Sequence, residues 1–103
     1  MYQYFLNREA ERELDKELAY SEERWGRQHA QKYAVQLKAK FSSIAKNPFI
    51  YPERSDILSG IRICNHKGNR IIFTVIEELK QVIIIGFLSV HQDIGKLEKR
   101  IPK

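Results

Sequence analysis

Residues 80–93 read KQVIIIGFLSVHQD, and the fold turns on what this stretch becomes. From Val82 to Val90 it is apolar at nearly every position and rich in β-branched side chains. Such a run, bounded by polar residues, predicts a strand buried on both faces of its pleat. It is far shorter than the ~20 residues a helix needs to cross a bilayer, so a membrane span is excluded. The run then changes at once into His91, Gln92 and Asp93. A buried strand that ends this way delivers polar side chains on a rigid support.

Working outward, Arg70–Glu77 (RIIFTVIE) predicts a strand that reaches the first through Glu78-Leu79. Before it, Ile61–His66 alternates, with Arg62, Cys64 and His66 on one face and Ile61 and Ile63 on the other. Lys67-Gly68-Asn69 between them is turn chemistry. Two tight connections make an antiparallel meander. A last strand buried on both faces also needs a neighbour on its free edge, and Tyr2–Leu6, aromatic and β-prone, is the remaining candidate.

Two helices must bring that first strand into place. Asn7 is a good cap, and Glu9 and Glu11 sit where the helix dipole favours negative charge. Leu14, Leu18, Ser21 and Trp25 form one face at helical spacing, while Glu9, Arg12, Glu13, Lys16, Glu17 and Glu23 form a solvated one with Glu9–Arg12 and Glu13–Lys16 neighbours. Gly26 breaks the pattern. The second helix carries Ala30, Tyr33, Ala34, Leu37, Phe41, Ile44 and Ala45 in a stripe and stops at Asn47-Pro48, because the residue before proline is pushed out of the helical region. Pro48–Gly60 reads as a loop. The expectation is an α+β fold of order β-α-α-β-β-β, with a helical hairpin on one face of a small, mostly antiparallel sheet. The tail IGKLEKRIPK adds at most a short helical turn before fraying.

At 103 residues and 12.2 kDa the chain is expected to form one domain over residues 1–103 with a single core. Its one cysteine, Cys64, cannot form an internal disulfide, which fits a reducing compartment. MYQYFLNREAERE lacks the pattern of a secretory signal, so a cytoplasmic location is expected. The net charge of +5 is unevenly placed: residues 1–26 hold four Lys/Arg against seven Asp/Glu, and the rest fourteen against six. That basic portion points to an anionic partner, whether nucleic acid, ribosome or an acidic protein segment.

The five glycines form no phosphate-binding loop, no Ser/His/Asp triad can be assembled, and His29, His66, His91 and Cys64 lack metal-ligand spacing, so neither cofactor nor metal is expected. The strand ends carry more information. Arg62 and His66 share a face, Lys67 follows, Arg70 opens the next strand, and His91 and Gln92 close the last. Such a cluster suits an RNA phosphate with proton transfer, or a docking patch for an acidic protein surface. Polar residues at strand ends also simply meet water. Arg62, inside an apolar strand, needs a partner.

Several segments in order resemble the ParE/RelE superfamily of bacterial toxin–antitoxin toxins, and the ParE branch most closely. They begin with FLNREAERELDKELAYSEERWG, in which Leu14, Tyr20, Trp25 and Gly26 match the family's first helix. They continue through His29–Phe41, Ile44–Pro48, Gly60-Ile61-Arg62, Arg70-Ile71-Ile72-Phe73-Thr74 and LSVHQD at Leu88–Asp93. The resemblance implies an inhibitor that stalls gyrase on cleaved DNA rather than an enzyme, neutralised by a small cognate antitoxin with an amphipathic, acidic segment that wraps the helices and sheet edge. Its implied target-facing residues are Arg62, His91, Gln92 and Asp93 with Lys96, Lys99 and Arg100 of the tail. The alternative is a RelE-like ribosome-dependent mRNA endoribonuclease, with Arg62 and Arg70 on phosphate and His91 as general acid or base. Thr74 in place of the family's tyrosine, and Arg54 as the only cation in Pro48–Gly60, favour the ParE branch.

Overall fold

The predicted strand at 82–90 is the second of four in a mixed sheet. The computed structural model describes residues 2–93 and 95–102; Ile94 in the predicted tail, and both chain ends, lie outside them. The elements are β1 (Gln3–Leu6), α1 (Arg8–Trp25), α2 (Arg27–Lys46), β2 (Arg62–His66), β3 (Asn69–Ile76) and β4 (Gln81–Ser89), with single 3₁₀ turns at Pro48–Ile50, Glu77–Leu79 and Leu97–Lys99. The sheet order is β1-β4-β3-β2. β1 runs parallel to β4, Gln3 opposite Gln81, while β2, β3 and β4 form the antiparallel meander. Of its nine residues, β4 buries all from Val82 to Leu88.

Both helices cover one face of the sheet. Leu37, Phe41 and Ile44 of α2 and Ala10 of α1 pack with Cys64, Ile71, Phe73, Val82, Ile84 and Phe87. Under the other face lie Ile61, Ile72, Ile83, Ile85 and Leu88, closed by Ile57 and Leu58 of the long loop and by Leu97 and Ile101 of the tail. Leu97 and Ile101 of the described tail residues therefore dock as a cover. The loop is also less irregular than its sequence suggests, since Glu53 pairs across to Arg62.

A bulge in β4 decides which side chains face which layer. Ile72 pairs with Gly86 but Phe73 pairs with Ile84, so Ile85 is one residue too many for β3. Before it the even positions Val82 and Ile84 face the helices; after it the odd position Phe87 does.

Local chemistry sets the helix ends. The Asn7 side chain accepts from the Ala10 amide at 3.0 Å, and its Nδ2 donates to the Arg100 carbonyl at 3.1 Å, so one residue caps α1 and ties down the tail. Asn7→Ala is expected to lower stability by about 1–2 kcal/mol, read as a fall in thermal midpoint; an unchanged midpoint would mean that the cap does not matter. Gly26 joins the helices at φ +97°, a conformation that L side chains rarely adopt.

Three expectations about α1 are corrected. Trp25 does not join the packed face but is 60% exposed at the turn between the helices, its ring 5.8 Å from that of His29 and 5.2 Å from the Arg24 guanidinium. Glu13 leaves the solvated face: its carboxylate accepts from Arg100 Nη1 at 2.9 Å and from the Phe87 amide at 3.0 Å. The Glu9–Arg12 and Glu13–Lys16 pairs do not close within 4.0 Å among the described residues.

Candidate functional site

The end of β4 is a pinned polar turn. Arg70, the second residue of β3, lies opposite Leu88, and its guanidinium donates to the Ser89 carbonyl at 2.8 Å and to the Gln92 carbonyl. Gln92 returns its own side chain to the Ser89 amide at 2.9 Å, and the Gln92 amide donates to the Ser89 carbonyl at 3.1 Å. The Val90 amide reaches the Gly68 carbonyl at 3.0 Å, joining this turn to the neighbouring one between β2 and β3. His91 stands exposed on the result, its amide held by Ser89 Oγ at 3.3 Å. Asp93 bonds forward to the Gly95 amide at 3.1 Å. Charge-assisted bonds from arginine to two carbonyls fix the backbone more firmly than neutral ones.

The structure gathers only part of the predicted cluster. Arg70, His91, Gln92 and Asp93 share one end of the sheet, together with His66 and Lys67 of the adjoining turn. Arg62 lies three register positions further down, opposite Phe73, which places it roughly 10 Å from that end. It is also on the other sheet face. Phe73 faces the helices, whereas Arg70 pairs with Leu88 on the face beneath the tail. Arg62 has the partners its setting demands: it donates to the Tyr51 carbonyl at 2.5 Å and lies 5.0 Å from the Phe49 ring centroid. Lys96 and Lys99 are exposed around the last 3₁₀ turn. Arg100 instead points inward, 19% exposed, to Glu13 and to the Ile85 carbonyl at 3.2 Å.

Glu13 and Arg100 together do what a longer β1 would do. β1 ends at Leu6, and the Asn7 amide makes the last ladder bond, to the Ile84 carbonyl. Beyond that point Arg100 takes the Ile85 carbonyl and Glu13 the Phe87 amide. Gly86 leaves room for this, since a Cβ there would stand 3.3 Å from Arg100 Nη1.

The second candidate region is the mouth of a groove of about 360 Å³ where the hairpin overhangs the β2–β3 turn, lined among others by Trp25, Lys32, Tyr33, Gln36, Lys67 and Asn69. Asn69 is buried and donates to the Tyr33 hydroxyl at 2.8 Å; Lys67 Nζ donates to Gln36 at 2.7 Å. Sequence reasoning missed Asn69 and Tyr33, and the signal for them was a polar residue heading an otherwise apolar strand. His66 lies close by. Burial, then the charges of Lys40 and Lys67, hold its imidazole below the ordinary histidine range, and its Nε2 is buried without a hydrogen-bond partner among the described residues.

Because its folded-state pKa is depressed, the neutral His66 ring favours the folded state above the unfolded value near 6.5. That contribution is lost as pH falls through 6.5 towards the folded value. Lys40→Gln should therefore raise the His66 titration midpoint followed by NMR. A midpoint at or above that of a free histidine in the native chain would contradict the burial described here.

Among the described residues no three of His, Cys, Asp and Glu gather as a metal site, and no helix is long and apolar enough to cross a membrane. Comparison with known proteins adds the following. Residues 4–94 match the family described as ParE toxin of type II toxin-antitoxin system, parDE. The chain is 36% identical over 73 residues to Toxin ParE1 of Caulobacter vibrioides, covering 71% of this chain and 75% of that protein. In fold it is similar to a solved chain titled Chromosomal ParDE TA system from P. aeruginosa, with a TM-score of 0.74 over 88% of this chain and 98% of that one, at 17% identity.

Proposed function

We propose, from the premise that this chain belongs to the ParE toxin family of type II toxin–antitoxin systems, that it acts by inhibiting DNA gyrase and is neutralised by a cognate antitoxin. The observation that carries the choice of target is the dispersal of the groups an RNA-cutting site would need. Arg62 and Arg70 lie on opposite sheet faces, and both guanidinium groups are committed to backbone carbonyls. A phosphate between His91 and two free arginines is not what this geometry offers. It offers a stiff, polar projection, His91-Gln92-Asp93, braced by Arg70, which suits contact with a protein target. Lys96 and Lys99 are exposed on the tail that follows it. Arg62 stands apart from it, and Arg100 acts on it indirectly by holding the tail in place.

An antitoxin has somewhere to bind. Tyr20, Trp25 and Val35 are exposed on the hairpin, and Phe5 is exposed on β1, whose outer edge is unpaired in the sheet. An amphipathic segment laid along the helices, with an extended stretch on β1, would cover them. Toxin, antitoxin and target are expected in the cytoplasm.

The test exposes two targets in parallel to the purified protein: gyrase in a supercoiling reaction and ribosomes programmed with mRNA. Loss of supercoiling with intact mRNA is expected. Arg70→Ala should weaken gyrase inhibition by about 10- to 150-fold by freeing the turn, the equivalent of about 1.5–3 kcal/mol for hydrogen bonds to a charged group. Cleaved mRNA beside unaffected gyrase, with cleavage abolished in His91→Ala, would overturn the proposal in favour of the endoribonuclease.

A further inference from the structure

The carboxylates of this chain are unevenly placed along the fold. α1 carries seven, whereas no Asp or Glu occurs from Arg27 to Pro52 or from Ile57 to Ile76. α2, β2 and β3 thus contain no acidic residue, and they adjoin one another: Lys67 in the β2–β3 turn bonds Gln36 on α2 at 2.7 Å, and His66 feels Lys40. Lys32, Gln36 and Lys40 are spaced four residues apart and form one row along α2. None of Lys32, Lys40 and Lys67 takes part in an ion pair among the described residues. Three lysines are therefore held on adjoining elements outside any ion pair among the described residues, and Glu17 of α1 is the carboxylate that lines a groove with two of them.

We propose that this basic face, centred on Lys32, Lys40 and Lys67, binds the phosphate backbone of a nucleic acid. Lysine is a compact charge with rotatable donors and suits phosphates without demanding a fixed geometry. The row from Lys32 to Lys40 spans about 12 Å, the length of roughly three to four phosphates along one strand of a duplex. An acidic amphipathic peptide would need an apolar seam between the cations. The middle position of this row is Gln36, which Lys67 bonds from the side, and the rings of Trp25 and Tyr33 line the groove next to it and not the row itself. Glu17, on the α1 wall of the groove that Lys32 and Lys67 also line, repels phosphate from inside it. Nothing in the face selects a base sequence. The proposal goes beyond the gyrase reading and does not rest on it, because it follows from the charge map alone.

The experiment is fluorescence anisotropy of the full chain with labelled DNA of about 20 base pairs, and a matching RNA duplex, across roughly 20–200 mM salt. Binding to the DNA, to the RNA or to both is expected, with log affinity falling against log salt at a slope of about −2 to −3 for three lysine contacts. The triple variant Lys32→Gln, Lys40→Gln, Lys67→Gln should lose at least about tenfold in affinity at the lowest salt and most of the slope. A control removing the same charge from exposed positions of α1, Arg8→Gln, Arg12→Gln and Lys16→Gln, should stay within about twofold of the native chain. Circular dichroism of both variants confirms that they are folded. No binding at the lowest salt overturns the proposal, as does equal loss in the control. A polyglutamate peptide that displaces the duplex at about a tenth of its concentration also overturns it, and assigns the face to an acidic protein instead.

Discussion

Phe41→Ala is expected to destabilise the fold by about 3–5 kcal/mol, the usual cost of deleting a buried aromatic ring. Phe41 is 1% exposed in the layer where α2 meets the sheet, its ring 5.6 Å from that of Tyr4 on β1. The ring fills the space between α2, β1 and β4, and neither Leu37 nor Ile44, both already buried, can swing in to replace it. For a chain of this size each kcal/mol moves the thermal midpoint by about 4–8 °C, so a fall of about 15–30 °C is expected. A fall below about 5 °C would mean that α2 does not seat on the sheet as described.

Glu13→Ala is expected to cost about 2–4 kcal/mol, far more than a charged residue on an amphipathic helix normally does. Its removal strands two groups: the Arg100 guanidinium, 19% exposed, and the Phe87 amide on β4. Breaking one side of a buried pair leaves an uncompensated charge, and this pair is only partly screened by water. Glu22→Ala is the contrast, because its partner Arg27 is 80% exposed and such pairs contribute ~0–1 kcal/mol. Combining Glu13→Ala with Arg100→Ala should cost less than the sum of the two, with coupling of about 1–3 kcal/mol. Strict additivity in thermal or denaturant unfolding would show that the two side chains do not meet.

The sheet order was legible because Val82–Val90 is apolar on both sides of its pleat, which requires neighbours on both edges and cover on both faces. The helix limits were legible for a different reason: Asn7, Gly26 and Asn47-Pro48 each impose a local backbone constraint. The bulge at Ile85 was not, since a strand that is apolar at every position shows no break in alternation when its phase slips. Nor was the Glu13–Arg100 pair, whose members are 87 residues apart, while Lys16 offered Glu13 a plausible partner one helical turn away.

The candidate site shows the same limit. Assigning Asn69 to the turn hides the fact that it pairs with His66, which leaves only Lys67 and Gly68, both at positive φ, as the turn itself. With that register Arg70 lies opposite Asn65, on the alternate face from Arg62 and His66. A shift of one residue thus separates two arginines that the sequence places side by side. The pinned turn after β4 was legible as a group of residues but not as a mechanism. The carbonyls that Arg70 binds belong to residues 19 and 22 positions away, and backbone acceptors leave no mark in a sequence.

The most direct measurement is the accumulation of cleaved DNA when gyrase, plasmid and nucleotide are mixed with the purified chain and the complex is then denatured. The account predicts linear plasmid that rises with toxin concentration and disappears when the cognate antitoxin is added first. Plasmid that stays intact and becomes fully supercoiled at every toxin concentration, with a folded and antitoxin-binding protein in the tube, would contradict it.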